Sequence, residues 1–410
     1  MNDTTFTDEA SAVLQAARRV HGICLKNGPP RQVGVELEWL AHDARDPALP
    51  VAADRIARVL ETSLGQGSSL TTEPGGQLEI SSAPASSLAG CVAAAAADLA
   101  TLREAAAAQD LTLTGYGLDP IRPPRRVLDQ PRYAAMEAFF DRGGPWGRRM
   151  MCSSASVQVC LDAGSEDPGN VTESIGWRWR LAHTLGPVLV SAFASSPLRE
   201  GKPTGWRSTR QQVWLNLDPG RTRPVLAPGQ PDGDPRAAWT AYALGAEVLC
   251  VPSDDSPDWI APPGVTLRDW LRTGRPRPAR TDDVDYHLTT LFPPVRPHGY
   301  LELRMIDAQP GDGWIVPLAV TTALFGDETA SRVAMAATQP LEGNPWENAA
   351  RRGPGDPALA RAARECFAAA IDALDRAGTP VAIRDAVGEF HQRYVRQDRC
   401  PADDLLKEMS

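Results

Sequence analysis

Polar and apolar positions alternate most clearly in GVELEWL, residues 34–40. On an extended chain Val35, Leu37 and Trp39 fall on one side, and Glu36 and Glu38 on the other. The same period of two recurs in GGQLEISS, where Gln77, Glu79 and Ser81 oppose Leu78 and Ile80, and in SVQVCL, where Gln158 opposes Val157 and Val159. In YLELRMI, Glu302 and Arg304 oppose Leu301, Leu303 and Met305. Further strands are expected at 111–116 and 212–217. Helical spacing, capping residues and breakers predict helices over 8–25, 56–64, 87–109, 132–140, 173–194, 235–248 and 284–291, with a mostly helical stretch from 313 onward. The Pro/Gly-rich pieces 219–235, 252–264 and 340–357 read as long loops, which in compact enzymes often cover a site. Strands mixed with helices point to an α/β or α+β architecture.

Four strands far apart in sequence thus share one design, an apolar face and a short polar one. Two readings of a strand such as 34–40 are open: a solvated sheet edge with a charged outer face, or a cation site. If the four strands form one sheet, their polar faces gather Glu36, Glu38, Glu79 and Glu302, with Glu73 in the preceding turn. Carboxylates that close disfavour joint ionisation and so call for cations. Oxygen donors from carboxylates and a glutamine amide suit Mg²⁺ or Mn²⁺ rather than zinc. Mg²⁺ held by protein carboxylates usually completes its shell with water and substrate phosphates, which makes ATP the natural partner. No GxxxxGK[ST] motif is present, and Gly201-Lys202 lacks its surroundings, so a P-loop NTPase is not expected.

Composition narrows the classes without choosing among them. The 410 residues suffice for a large core, and 42% hydrophobic with 23% charged residues describes a soluble globular chain. A net charge of -9 argues against nonspecific nucleic-acid binding and polybasic membrane contact. The apolar run 185–194 is about half a membrane span, and no charged leader with an apolar run behind it opens the chain, so a cytoplasmic location is expected. Seven scattered cysteines without CxxC pairing suggest neither a disulfide framework nor a zinc ribbon. The six histidines form no ligand spacing, and neither Cys152 nor Cys160, which flank the Gln158 strand, carries the signature of a nucleophile.

The motifs also carry a resemblance. EPGGQLEIS (73–81), SVQVCLD (156–162), ASSPLREGKPTG (194–205), STRQQVW (208–214), DPGRT (218–222) and LFPPVRPHGYLELRMID (291–307) follow one another as in the plant and proteobacterial glutamate-cysteine ligases. The chain most resembles the actinobacterial branch that makes γ-glutamylcysteine for ergothioneine synthesis. The likeness spans about 33–327, and its specificity lies in the ordered set, since each motif alone is weak.

This resemblance implies an α+β, glutamine-synthetase-like catalytic fold, in which a curved, mainly antiparallel sheet forms a funnel with helices outside. It implies that Glu36, Glu38, Glu73, Glu79 and Glu302 hold two or three Mg²⁺ ions around ATP and glutamate. Gln158 stands where some relatives carry a metal-binding histidine. Arg304 would stabilise the phosphoryl group in transfer, although from its position alone it could equally neutralise the neighbouring carboxylates. Arg180, Arg210 and Trp214 would lie near the amino-acid substrates, and Asp218, Arg221 and Thr222 in a loop near the nucleotide. The implied substrates are L-glutamate, L-cysteine and ATP. The expectation is one catalytic domain, monomeric, with a helical extension over 1–30, the active-site sheet and its loops over 31–312, and a helical part over 313–410. Rivals are a ligase of the same fold with another amine acceptor, a phosphotransferase, and a ligand-binding relative without turnover. Joint retention of the five glutamates and Arg304 argues against the last.

Overall fold

A computed structural model describes residues 9–227, 229 and 233–408. Its centre is a sheet built on β1 (Val33–Asp43), which is flanked on one side by β3 (Leu78–Ser81) and on the other by β5 (Ser156–Asp162). The edge strand β2 (Ser69–Thr72) pairs with β3, β4 (Leu111–Thr114) pairs with the far half of β1, and a short hairpin, β6 (Leu198–Arg199) and β7 (Lys202–Pro203), stands apart. β8 (Val295–Pro297) and β9 (Tyr300–Asp307) complete the order β2-β3-β1-β5-β9-β8, and every named pairing is antiparallel. The α+β expectation is borne out.

Strand alternation decides which way the sheet faces. Val35, Leu37, Trp39, Leu78, Ile80, Val157, Val159, Leu301 and Leu303 are buried in one continuous core. Helices Leu88–Ala107, Ile175–Ala192 and Ile315–Gly326 cover that apolar side. The run 185–194 is buried inside this layer, and among the described residues no helix is long and apolar enough to cross a membrane. Helices Glu328–Thr338, Pro357–Arg376 and Val381–Arg393 stack outside, as the expected helical C-terminal part.

One irregularity matters for the site. Val159 pairs with Leu303 but Val157 pairs with Ile306, so Gln158 faces two residues of β9, Arg304 and Met305. This bulge resets the alternation of β9. Asp307, which strict alternation would place with Leu301 and Leu303, comes opposite Ser156 on the polar side.

Several expectations need correction. Residues 212–217 are not a strand: Thr209–Leu215 is a helix, capped by the Ser208 hydroxyl, which accepts the Gln211 N–H at 3.1 Å. Arg210, Val213, Trp214 and Leu217 are buried at helical spacing, with Thr209 and Gln211 buried as well, whereas Leu215 is exposed. The alternating Val213, Leu215 and Leu217 misled the strand reading. The stretch 340–357 contains the helix Pro345–Arg352, and 219–235 begins with the short helix Pro219–Thr222. Edge strand β2 and helix Trp146–Ser153 were not anticipated. The first helix runs Glu9–Ile23, so the expected start at residue 8 lies outside the described residues.

Candidate active site

Register brings the acids together. Glu36 lies opposite Gln158, and Glu38 opposite Glu79, so β3, β1 and β5 present them side by side on the face turned away from the core. Glu73 arrives from the turn between β2 and β3. Its N–H bonds the Gln77 carbonyl at 2.9 Å, and the Gly76 N–H returns to the Glu73 carbonyl at 2.8 Å. That turn needs its glycines. Gly76 has φ +86°, and a Cβ on Gly75 would lie 2.2 Å from the Cys152 carbonyl oxygen.

The four glutamates open into a cavity of about 360 Å³, whose wall also includes Gln158, Arg210, Trp214, Arg296 and Arg304. Burial, then the charges of Glu302 and Glu79, push the Glu36 carboxyl up to about 8. Burial, then Glu79 and Glu38, push Glu73 up to about 8 as well. Glu38 is raised by burial and Glu79. The polar face is therefore not a flat solvated edge but the partly buried acidic wall of a cavity.

Glu302 is placed differently. It is 1% exposed and held by the Arg296 guanidinium at 2.5 and 2.9 Å, with Arg304 at 3.1 Å. Burial alone would raise its pKa, but the two arginines outweigh burial and hold it at about 2. Its carboxylate serves as their counter-charge. Gln158 lies between two neighbours: its Oε1 accepts from Arg304 Nη1 at 2.5 Å and its Nε2 donates to Glu38 at 2.8 Å. The amide thus links Arg304 to Glu38.

Arg210 and Trp214 sit in the cavity wall, on a helix rather than the expected strand. Arg210 is 2% exposed, stacks over the Trp214 ring at 4.5 Å and donates from Nη2 to the Arg304 carbonyl at 2.8 Å. Its Nε and Nη1 have no hydrogen-bond partner. Both atoms are buried, and Nη1 lies 3.9 Å from Asp307 Oδ1, so Arg210 brings a positive charge to the cavity wall.

The remaining expected residues lie elsewhere. Arg180 is on helix Ile175–Ala192, behind the sheet, and lines a separate cavity of about 670 Å³ with Trp177, Leu226 and Met335. Asp218 caps helix Pro219–Thr222 and accepts from Arg221 at 3.1 Å. Arg221 is fully buried against the Phe139 ring and donates to the Thr290 and Glu247 carbonyls, while the Thr222 hydroxyl bonds the Trp214 carbonyl at 3.1 Å. These three brace the wall behind Trp214 instead of facing the cavity.

Arg296, Arg132, Tyr133 and His298 are among the cavity residues that the sequence reading missed. Arg296 had a signal, because Val295, Arg296 and Pro297 alternate within the quoted stretch 291–307 and β8 pairs Arg296 with Glu302. Arg132, Tyr133 and His298 had none, since loops and an unrelated helix deliver them. The nearby thiols are poor nucleophiles. Burial pushes Cys152 up to about 12 and Cys160 well above its ordinary value.

Among the described residues no three acidic, histidine or cysteine side chains converge on one point as a closed metal cage. The donor set still suits Mg²⁺, which takes one or two protein carboxylates and fills its shell with water and phosphate oxygens. Burial first, and then mutual repulsion, raise Glu36 and Glu73, and cations would relieve the repulsion.

The model of Glutamate-cysteine ligase family 2 matches residues 32–409 of the chain. The chain is 40% identical over 410 residues to the glutamate-cysteine ligase EgtA of Mycolicibacterium smegmatis, covering 97% of this chain and 92% of the relative. It is 38% identical over 417 residues to the enzyme of the same name from Mycobacterium tuberculosis, covering 98% and 91%. The chloroplastic glutamate-cysteine ligase of Medicago truncatula is 31% identical over 248 residues, which cover 59% of this chain and 47% of the relative. Among solved structures, a glutamate-cysteine ligase from Francisella tularensis in complex with AMP is similar over 93% of this chain and 85% of its own, with 12% identity and a TM-score of 0.49.

Proposed function

The chain belongs to the glutamate-cysteine ligase family 2, and from that premise we propose that it joins the side-chain carboxylate of L-glutamate to the amine of L-cysteine at the expense of ATP. The products are γ-glutamylcysteine, ADP and phosphate, and the dipeptide serves ergothioneine synthesis. The observation that carries the reading is the single cavity in which Glu36, Glu38, Glu73 and Glu79 face Arg210, Arg296 and Arg304.

The chemistry follows from that charge pattern. The glutamate side-chain carboxylate attacks the terminal phosphorus of ATP, ADP leaves, and the resulting acyl phosphate loses phosphate to the cysteine amine. Arg304 is anchored on Glu302 and Gln158 before substrate arrives, so its charge faces the phosphoryl group without reorganisation. Arg296, fixed by the same Glu302, adds a second positive charge to that wall. Arg210, in the same wall, offers its positive charge to an amino-acid carboxylate. Glu36, Glu38, Glu73 and Glu79 would hold Mg²⁺, which, when bound, offsets the negative charge of the phosphates. No protein nucleophile is needed, because positioning and electrostatics supply the catalysis. The chain acts as one cytoplasmic, monomeric catalytic domain.

The test is product analysis by mass spectrometry after incubation with ATP, Mg²⁺, glutamate and a panel of amines. ADP release should require glutamate and rise strongly with cysteine, with γ-glutamylcysteine as the product. Equal stimulation by unrelated amines would remove the cysteine assignment.

A further inference from the structure

Asp307 closes the strand that carries Glu302 and Arg304, and the β9 bulge turns it onto the site side of the sheet. It is 2% exposed, and a Cβ on Gly117 would lie 2.3 Å from its Cγ, so the group has no room to move. Its carboxylate collects donors from two separate segments. Oδ2 accepts the Ser195 N–H at 3.1 Å and the Ser196 hydroxyl at 2.7 Å, and Oδ1 accepts the Ser208 hydroxyl at 2.9 Å.

Both segments lead to one side chain. Ser208 caps the helix that carries Arg210, and the Ser196 oxygen accepts the Arg210 N–H at 3.2 Å. The Arg210 guanidinium lies 3.9 Å from Asp307 Oδ1, too far for a hydrogen bond but close enough for strong attraction in a buried setting. Neighbouring Gln211 is tied down as well, its amide donating to the Met305 carbonyl at 2.8 Å. Arg210 thus has its backbone clamped, one face on Trp214, one donor on the Arg304 carbonyl and a counter-charge behind it. Nε and Nη1, both buried, make no hydrogen bond, and Nη1 is the atom that faces Asp307.

We propose that Asp307 is the positioning residue that aims Arg210 at the carboxylate of an amino-acid substrate. Through the Ser196 and Ser208 hydroxyls it fixes the helix start, and through its charge, 3.9 Å from Nη1, it holds the guanidinium in the cavity wall. The inference rests on the reading of Arg210 as an amino-acid anchor given above.

The test is a double-mutant cycle with Asp307→Asn, Arg210→Met and both together, reading KM for glutamate, cysteine and ATP separately, with kcat. Arg210→Met should raise KM for one amino acid on the order of 100-fold, the worth of a charged hydrogen-bonded contact. Asp307→Asn should raise the same KM on the order of 10-fold, leaving the ATP KM unchanged. The double variant should match Arg210→Met alone, because a residue acting through Arg210 has nothing left to act on. Multiplied effects in the double variant, or an Asp307→Asn defect spread equally over all three substrates, would overturn the inference. If Arg210→Met left both amino-acid KM values unchanged, the anchor reading would fail and this inference with it. An effect of Arg210→Met with none of Asp307→Asn would sink only the inference. Should Asp307→Asn not fold, Ser196→Ala, which removes one bond to Asp307 and one to the Arg210 backbone, is read in the same way.

Discussion

Replacing Glu302 by Gln keeps the shape of the side chain and removes one negative charge from between two guanidiniums. Arg296 grips this carboxylate at 2.5 and 2.9 Å, and Arg304 adds a contact at 3.1 Å. Removing one partner of such a buried pair leaves charge uncompensated and costs about 3 to 5 kcal/mol. The fall of the Glu302 pKa from 4.5 to about 2 agrees in sign, since it too favours the charged form by about 3 kcal/mol. At an unfolding entropy of about 2 cal/mol/K per residue, a chain of 410 residues would lose about 4 °C in Tm for 3 kcal/mol. The assay is thermal melting of wild type and Glu302→Gln, each with Mg²⁺ and with a chelator. A counter-charge role predicts the same gap in both conditions. The pH dependence has a definite sign as well. Because the folded pKa lies below 4.5, the contribution is complete above pH 4.5, and the gap should close as pH falls toward about 2. A gap of less than about 1 °C, or one that excess Mg²⁺ erases, would refute the reasoning and return Glu302 to the ion ligands.

Glu36→Gln and Glu38→Gln should each weaken Mg²⁺ dependence and turnover while melting near wild type, because the opposing Val35, Leu37 and Trp39 keep the core intact; an unchanged metal response in both would make these glutamates bystanders. Arg304→Met should lower kcat on the order of 10²- to 10³-fold without rescue by added metal, and a collapse of ATP binding with normal turnover of bound substrate would instead make it a ground-state anchor. Gly75→Ala must move the Glu73 turn off the Cys152 carbonyl, so activity should fall more than Tm does, as activity assays and melts on one preparation would reveal. His183 is buried with Nδ1 bonded to the Trp179 carbonyl at 2.8 Å and no partner at Nε2. Burial lowers its pKa from 6.5 to about 4, so the stability it contributes is complete above pH 6.5 and lost as pH falls toward 4. Near pH 5 the loss is about 2 kcal/mol, and His183→Leu should flatten that part of the stability curve in denaturant titrations.

Much of this protein follows from local pattern. Period-two alternation in 34–40, 77–81, 156–161 and 300–304 set the core face and the acidic face of each strand, because a regular pleated chain turns successive side chains to opposite faces. What alternation cannot carry is which strands pair and where a register slips. Pairing of β3, β1 and β5 turned four separate glutamates into one cluster, and pairing of β8 with β9 gave Glu302 to Arg296. The bulge opposite Gln158 reversed the facing of Asp307, which no reading of YLELRMID as a regular strand would place beside Arg210. Residues 212–217 failed for a related reason: their short apolar pattern fits both periods, and burial of Arg210, Val213, Trp214 and Leu217 against the rest of the fold chose the helix. The sequence by itself determined the two faces of each strand and the kinds of charge available. Only the tertiary structure decided which charges meet, because a buried ion pair depends on contacts between segments that chain order leaves far apart.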